Sequence, residues 1–343
     1  MSQANIRVGL LAYGAIGDEH NLAIKATPGL TLSAVCDTNP ERLKVALEIS
    51  PDAKTFTDAE VMIASGEIDL VVISTPPNSH YLWAKKALNA NLHVVLEKPM
   101  ALTTQECDEL IALAKTKDKL LVVYQNRRYD SDFLTIKDLI EKGSIGEVFY
   151  FETFVGGYSK PCSYWHSDKD VSGGAIFDWG SHFLDQIMSV IHSPLKSVSG
   201  LNQKRVWDHV TNADHSQVSL TFNDGVQAVF TNSDLAAARK PKYFVLGTKG
   251  SIIGEWDHSS ETVTDLPAII SLFKPDRTKQ TVENIKPTPF SFHQSLVSYL
   301  VNKIPMSVTA QQSRDVVAVM QAAEESALEL GASKKVICYS GNP

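Results

Sequence analysis

Two periodicities share this chain, and the change between them falls near residue 125. Up to there, short aliphatic and β-branched runs, apolar on both faces, alternate with stretches whose apolar positions recur at helical spacing. The runs 6–11, 30–36, 70–74, 93–96 and 120–124 are expected strands, and 17–26, 40–48, 79–90 and 104–117 are expected helices. Two of the helices carry start signals. Asn39-Pro40 sets a cap residue before a proline at the first helical position, and Thr103 with Glu106 three residues on has capping-box spacing. Strands apolar on both faces and alternating with helices make βαβ units and a parallel sheet.

Past residue 145 the signals become antiparallel. The runs 217–222 and 226–232 flank Asn223-Asp224-Gly225, and 243–246 and 251–254 flank Gly247-Thr248-Lys249-Gly250, so each pair reads as a hairpin. A long helix over 310–330 and a last short strand near Val336 close the pattern. The expected fold is α/β: an N-terminal doubly wound Rossmann domain with a parallel sheet over 1–125, then an α+β domain with a mainly antiparallel open sheet over 126–343. No repeat and no low-complexity linker separates them.

Composition narrows the function. At 343 residues with 43% hydrophobic positions, two domains each have enough apolar side chains for a core. The net charge is -7 and the basic residues are scattered, which argues against a nucleic-acid partner. The N-terminus runs straight into a strand pattern without a basic stretch and long apolar run, so no signal peptide is expected. No apolar run approaches the roughly 18 to 20 residues of a membrane span. Cys36, Cys107, Cys162 and Cys338 are far apart and form no CxxC, which suggests neither a disulfide framework nor a zinc site. A soluble cytoplasmic protein without a membrane partner is the expectation.

The first strand-to-helix junction carries a dinucleotide fingerprint, Ala12-Tyr13-Gly14-Ala15-Ile16-Gly17, with alanine at the first glycine position of GxGxxG. Gly14 allows backbone to approach a pyrophosphate, Gly17 allows the helix to pack on the strand, and the helix N-terminus attracts the anion. Ala12 serves this turn if its φ is negative. Asp37 ends the second strand twenty residues after Gly17, where an acid hydrogen-bonds the ribose 2′-hydroxyl of NAD and repels the 2′-phosphate of NADP; Arg42, five residues on, softens that preference. NAD is therefore the expected cofactor, with NADP left open. The rigid loop Ser74-Thr75-Pro76-Pro77-Asn78-Ser79-His80 follows the 70–74 strand on the carboxyl edge of the sheet, where ligands bind; Asn78 or Ser79 is positioned to cap the next helix. On the same edge Leu96-Glu97-Lys98-Pro99-Met100 puts a charged pair at the end of an apolar strand. Lys98 either snorkels to solvent or points into the crevice where a nicotinamide lies.

Downstream, Asp178, His182 and Asp185 are spaced four and three apart and share one helix face, with Phe183, Leu184, Ile187, Met188 and Ile191 free to form the buried side. An acid and a histidine so placed make either a structural pair or a dyad in which the carboxylate orients the imidazole. With His166 they are also conceivable metal ligands, but no HxH or HExxH spacing supports that, and no metal is expected.

In chain order, the Ala12–Gly17 fingerprint, Asp37, Glu97-Lys98-Pro99, and Gly173-Gly174 leading into Asp178-x-Gly180-x-His182-x-x-Asp185 resemble the Gfo/Idh/MocA family (glucose–fructose oxidoreductase, inositol dehydrogenase, rhizopine catabolism) over nearly the whole chain. The combination of EKP with DxGxHxxD makes the resemblance specific. It implies an NAD(P)-dependent dehydrogenase of sugars, inositols or related polyols, assembled as a homodimer or homotetramer through the second domain. It implies that Lys98, Asp178 and His182 form the catalytic group and that the Lys98-Pro99 bond is cis. The cofactor surface it implies comprises Ala12, Tyr13, Gly14, Ala15, Ile16, Gly17, Asp37, Thr75, Pro76, Asn78, His80, Glu97, Lys98 and Gln125. The run Tyr124-Gln125-Asn126-Arg127-Arg128-Tyr129-Asp130 resembles a subgroup of scyllo-inositol and related polyol oxidoreductases. This sequence departs from the family at Ala12 and at Ala175, where a third glycine often stands.

On the substrate side, Arg127, Tyr158, Trp165 and His166 are the polar and aromatic candidates; Phe290-Ser291-Phe292-His293, which starts a helix, is not counted among them. Two other functions share these parts: a non-enzymatic NAD(P)-binding sugar sensor, which needs the glycine turn and Asp37 but not Lys98, Asp178 and His182, and NAD-dependent glycoside cleavage.

Overall fold

The computed structural model describes residues 5–257 and 267–339; residues 1–4, which entered the expectation about a signal peptide, lie outside them. The chain groups into two compact units, Met1–Gln125 with Thr288–Arg314, and Asn126–Pro287 with Asp315–Pro343. The expected second domain ran unbroken over 126–343; here 288–314 groups with the first unit instead. Its Ser291–Asn302 helix places Phe292 and His293 against Tyr124, with ring centroids 4.8 and 5.5 Å apart.

In the first unit, β1 (Ile6–Leu11), β2 (Leu30–Cys36), β3 (Lys54–Phe56), β4 (Leu70–Ile73), β5 (His93–Leu96) and β6 (Leu121–Val123) form one parallel sheet in the order β3-β2-β1-β4-β5-β6. Nearly every residue of β1, β4, β5 and β6 is buried, because helices cover both faces. The helices Gly17–Ala26, Pro40–Ile49, His80–Asn89 and Thr104–Thr116 lie within a residue or two of their expected bounds. Both start signals operate: the Asn39 side chain accepts the Glu41 N–H, and Thr103 with Glu106 forms a reciprocal capping box. Two short elements carry no sequence periodicity, β3 and the Ala59–Ala64 helix, the latter capped by Asp58. Three residues exposed or half-exposed, and a helix of under two turns, are too short to show a period.

In the second unit, β7 (Val148–Gly156), β8 (Leu195–Gln203), β9 (His215–Phe222), β10 (Gln227–Ser233), β11 (Tyr243–Gly247), β12 (Gly250–Glu255), β13 (Ile269–Phe273) and β14 (Lys279–Val282) form a second sheet in the order β14-β13-β12-β11-β7-β10-β9-β8. Both expected hairpins form, but β7 lies between them. It pairs antiparallel with β11 and parallel with β10. That one parallel ladder joins segments more than seventy residues apart (Tyr150 with Gln227), so no turn announces it. The expected strand near Val336 is absent; a single bridge between Val198 and Lys334 is all that forms. The Ala175–Val190 helix packs on β7, β9 and β10. Gly180 permits the approach, since a Cβ there would lie 3.3 Å from the Phe230 ring. The long helix runs over Ala310–Leu328, and its later turns cross β8 so closely that a Cβ on Gly200 would sit 2.1 Å from the Ala323 carbonyl.

Candidate functional site

The first unit brings its candidate residues to one edge. In a sheet ordered β3-β2-β1-β4-β5-β6 the chain reverses its direction of winding between β1 and β4, and loops at the carboxyl ends flank that crevice. The Ala12–Gly17 turn follows β1, Asp37 follows β2, the loop at 74–80 follows β4, Glu97 and Lys98 follow β5, and Gln125 follows β6.

The turn itself corrects one expectation. Ala12 does not take a negative φ; it stands at +69°, in the left-handed region. Its N–H donates to the Cys36 carbonyl at 2.8 Å, and the next N–H, that of Tyr13, donates to Asp37 Oδ2 at 2.7 Å, so the sharp reversal is held from both sides. An alanine there costs about 1–2 kcal/mol that glycine would not. At Gly14 a Cβ would meet nothing within 4 Å, which leaves open space for a ligand to approach the backbone. At Gly17 a Cβ would collide with the Tyr13 ring at 2.9 Å. Tyr13 turns its side chain inward, hydrogen-bonded to Asp18 and Asn21, so only its backbone is left for a ligand. The Gly17–Ala26 helix begins at Ile16 without a side-chain cap, and its first N–H groups are those an anion would take.

Asp37 is 5% exposed and already accepts two N–H groups, from Tyr13 and Asn39, with Arg42 Nη1 at 3.5 Å. Neither Asn78 nor Ser79 caps the helix that follows. Ser79 Oγ turns back to the Pro76 carbonyl and to Thr75 Oγ1, while Asn78 is exposed. His80 is fully buried; Nδ1 lies 2.7 Å from the Pro99 carbonyl and Nε2 2.8 Å from that of Thr75. Its imidazole ties the 74–80 loop to the turn after Lys98 and offers no free edge to a cofactor. Burial pushes its pKa below the ordinary value against the pull of the two carbonyls.

The Lys98-Pro99 bond is cis. Glu97 braces the same turn from within: Oε1 lies 2.8 Å from His20 Nε2, and Oε2 accepts the Lys98 N–H at 3.2 Å. His20 continues to His293, with Nδ1 3.4 Å from its Nε2. Lys98 is thus held by its backbone while its side chain is half-exposed. Two buried polar atoms just past β4 and β6, on either side of β5 at this edge, have no hydrogen-bond partner among the described residues, Ser74 Oγ and Gln125 Oε1. Together with the open space over Gly14 and the uncapped helix, they fit a dinucleotide along the edge.

The second unit builds its part from side chains. Gly173 and Gly174 have φ of +88° and +106°, a stretch in which alanine would be strained, and they deliver the chain into the Ala175–Val190 helix. Ala175 is the first helical residue and needs no glycine. On that helix His182 is 6% exposed and Asp178 half-exposed. Asp185, third in the spacing, is engaged elsewhere. Arg128 grips it with Nε at 2.6 Å and Nη2 at 2.7 Å, a bidentate pair.

Asp178 opens into a cavity of about 270 Å³ formed wholly within this unit. Its walls come from 161–167, 175–179, 210–213 and the end of β10, including Tyr164, His166, Trp179, Asn212, Asn232 and Asp234. Of the substrate candidates, His166 lines it. Trp165 stacks behind His166 at 3.7 Å, and Arg127 lies over the Trp179 ring at 5.0 Å while pairing with Asp130. Tyr158 is 60% exposed and packs on Trp207 instead. Sequence reasoning did not single out Asn212, Asn232 or Asp234; the only signal is that polar residues cluster at 211–214 and 231–234, where hairpin strands end. Among the described residues no three His, Cys, Asp or Glu side chains gather where they would hold a metal ion, and no helix is long and apolar enough to cross a membrane.

Comparison with known proteins agrees with both units. A model described as an oxidoreductase family with an NAD-binding Rossmann fold matches residues 6–125, and one described as a GFO/IDH/MocA C-terminal domain matches 133–253. The uncharacterized oxidoreductase YdgJ of Escherichia coli is 34% identical over 251 residues, covering 73% of this chain and 71% of that one. The scyllo-inositol 2-dehydrogenase (NADP(+)) IolW of Bacillus subtilis is 26% identical over 94% of both chains, and the myo-inositol 2-dehydrogenase of Thermotoga maritima 27% identical over 73% of this chain and 75% of that one. Among solved structures, the putative oxidoreductase yvaA from Bacillus subtilis covers 98% of this chain and 100% of its own, at a TM-score of 0.88 and 25% identity. With a glycine turn, an EKP strand end and a DxGxHxxD helix all in place, the chain belongs to the Gfo/Idh/MocA family of oxidoreductases and carries that family's NAD-binding Rossmann domain.

Proposed function

We propose that the protein is an NAD(P)-dependent dehydrogenase that transfers a hydride between a secondary alcohol of a sugar, inositol or related polyol and the nicotinamide. The observation that carries this reading is the second-unit cavity, which offers two carboxylates, two amides, an imidazole and aromatic walls, the mixture that a ring with several hydroxyls requires. The two inositol dehydrogenases among the relatives act on such rings.

The bound nicotinamide supplies the hydride acceptor or donor. His182 takes the hydroxyl proton as general base, since the reference imidazole pKa of about 6.5 lies near working pH. Asp178 hydrogen-bonds the substrate or orients His182. Lys98 donates to the reacting oxygen and stabilises its alkoxide character. Glu97 and His80 keep the Lys98 turn in place. All four cysteines are free thiols, which suits the reducing cytoplasm where we place the protein. Assembly into dimers or tetramers is part of the same proposal, to be checked by light scattering.

The test is reduction of NAD and of NADP by purified protein across inositols, aldoses, uronic acids and sugar alcohols, with Lys98→Met alongside. Turnover of at least one polyol or sugar that disappears in the variant is the expected result. A wild-type protein that binds cofactor yet turns over nothing in the panel would sink the proposal.

A further inference from the structure

The second-unit cavity holds a carboxylate that the reaction above does not use. Asp234 directly follows β10 and lines the same cavity as Asp178. Its neighbour Asp214 shows how this fold satisfies an acid. Asp214 accepts the N–H groups of Arg205, Val206 and Trp207 at 2.6, 2.6 and 3.2 Å, and Lys204 Nζ at 2.9 Å. Burial pushes Asp214 up, but those donors outweigh it and bring its pKa to about 2.

Asp234 is one hydrogen bond away, its N–H donating to the Asp214 carbonyl at 2.8 Å. Its own carbonyl accepts from Ser159 N and Trp207 Nε1. Yet among the described residues no hydrogen bond reaches its carboxylate. Burial, then the charges of Asp214 and Asp178, push its pKa up to about 6, with Lys204 opposing. An acid held among like charges without donors is a net loss to the fold by itself. Asp214 is satisfied by its own loop and does not line the cavity, whereas Asp234 lines it with a carboxylate placed to accept from a ligand.

We propose that Asp234 is a substrate-binding residue that, together with Asp178, makes the cavity select an uncharged polyhydroxylated ligand over its carboxylate counterpart. Ionised carboxylates only accept, and the hydroxyls of a polyol can donate to both acids. Asn232 and Asn212 face the same space, and Trp179 and Tyr164 offer flat surfaces to the C–H side of a sugar ring. Among the residues that line this cavity there is no lysine or arginine, and Lys98 is committed to the reacting oxygen, so the further negative charge of a sugar acid would lie beside Asp178 and Asp234 and be disfavoured by repulsion. This inference rests on the proposed function in assuming that the cavity holds the substrate and in the role given to Lys98.

The experiment is calorimetric binding, at pH 8 with NADH present, of myo-inositol, D-glucose and D-glucuronate to wild type and to Asp234→Asn, with melting temperatures recorded alongside. Wild type is expected to bind at least one neutral probe ten or more times more tightly than the glucuronate. The variant should lose about tenfold on the neutral probe, gain on the glucuronate, and melt about 2 °C higher. Unchanged discrimination in a folded variant, glucuronate preferred by wild type, or no neutral probe bound would overturn it. Because binding is read directly, selective binding without turnover would refute the dehydrogenase and leave the role of Asp234 standing. Turnover without discrimination would do the reverse.

Discussion

The two units put their functional groups together in opposite ways. The first unit works with backbone: a glycine turn, the ends of parallel strands and a cis peptide bond carry the candidate residues to one edge in simple chain order. The second works with side chains from four separate stretches that meet in one cavity. Strands that end together at one sheet edge make a ligand site by topology alone. An antiparallel sheet has no such edge, so its site depends on which loops happen to meet.

That contrast can be broken most sharply by activity. Lys98→Met and His182→Ala, one from each unit, are each expected to lower turnover by about 10²–10⁴-fold. NADH binding, followed by fluorescence titration, should be retained in His182→Ala; its loss would mean that His182 serves the cofactor.

Stability offers the next largest effect, confined to the second unit. Lys242 Nζ lies 2.6 Å from Asp132 Oδ2 with both side chains buried, and Asp132 also accepts the N–H groups of Phe133 and Ala268. Lys242→Met leaves that carboxylate buried without its cation and should destabilise the protein by about 3–5 kcal/mol in urea unfolding. A cost below 1 kcal/mol would mean that the amides alone hold the charge.

The pH dependence is smaller and has two opposing limbs. The Asp214 pKa is depressed to about 2, so its stabilisation is present above the unfolded value near 4 and is lost as pH falls through 2. The Asp234 pKa is raised to about 6, so its contribution runs the other way: stability falls as pH rises from about 4 through 6. Each limb should amount to about 1 kcal/mol after allowing for solvent screening. Asp234→Asn should remove the upper limb and leave the lower one, in thermal melts between pH 3 and pH 8.

The smallest effect belongs to the first unit. Ala12→Gly relieves a left-handed alanine while adding freedom to the unfolded chain, for a net gain of about 0.5–1 kcal/mol. A loss on that substitution would show that the Ala12 methyl group contributes packing that the turn needs.

Much of the fold is legible in the sequence. Strands apolar on both faces can only be covered on both faces, so 6–11, 30–36 and 93–96 declared a parallel sheet, and Asn39-Pro40 and Thr103-x-x-Glu106 announced helix starts that formed as expected. The order of the Ala12–Gly17 turn, Asp37 and Glu97-Lys98-Pro99 pointed to the family, because backbone needs there are met by particular residue types at short spacing. What stayed hidden was whatever depends on partners distant in the chain. His80 looked like a loop residue facing a ligand, and it is buried between two carbonyls. Asp185 shared a face with His182 on paper, and Arg128 takes it. The β7–β10 pairing and the approach of 161–167, 210–213 and Asp234 to Asp178 cross tens of residues without a local signal. Local chemistry is written in adjacent residues, whereas packing against a distant segment reads in sequence only as polarity, and the tertiary structure alone decides which polar residue meets which.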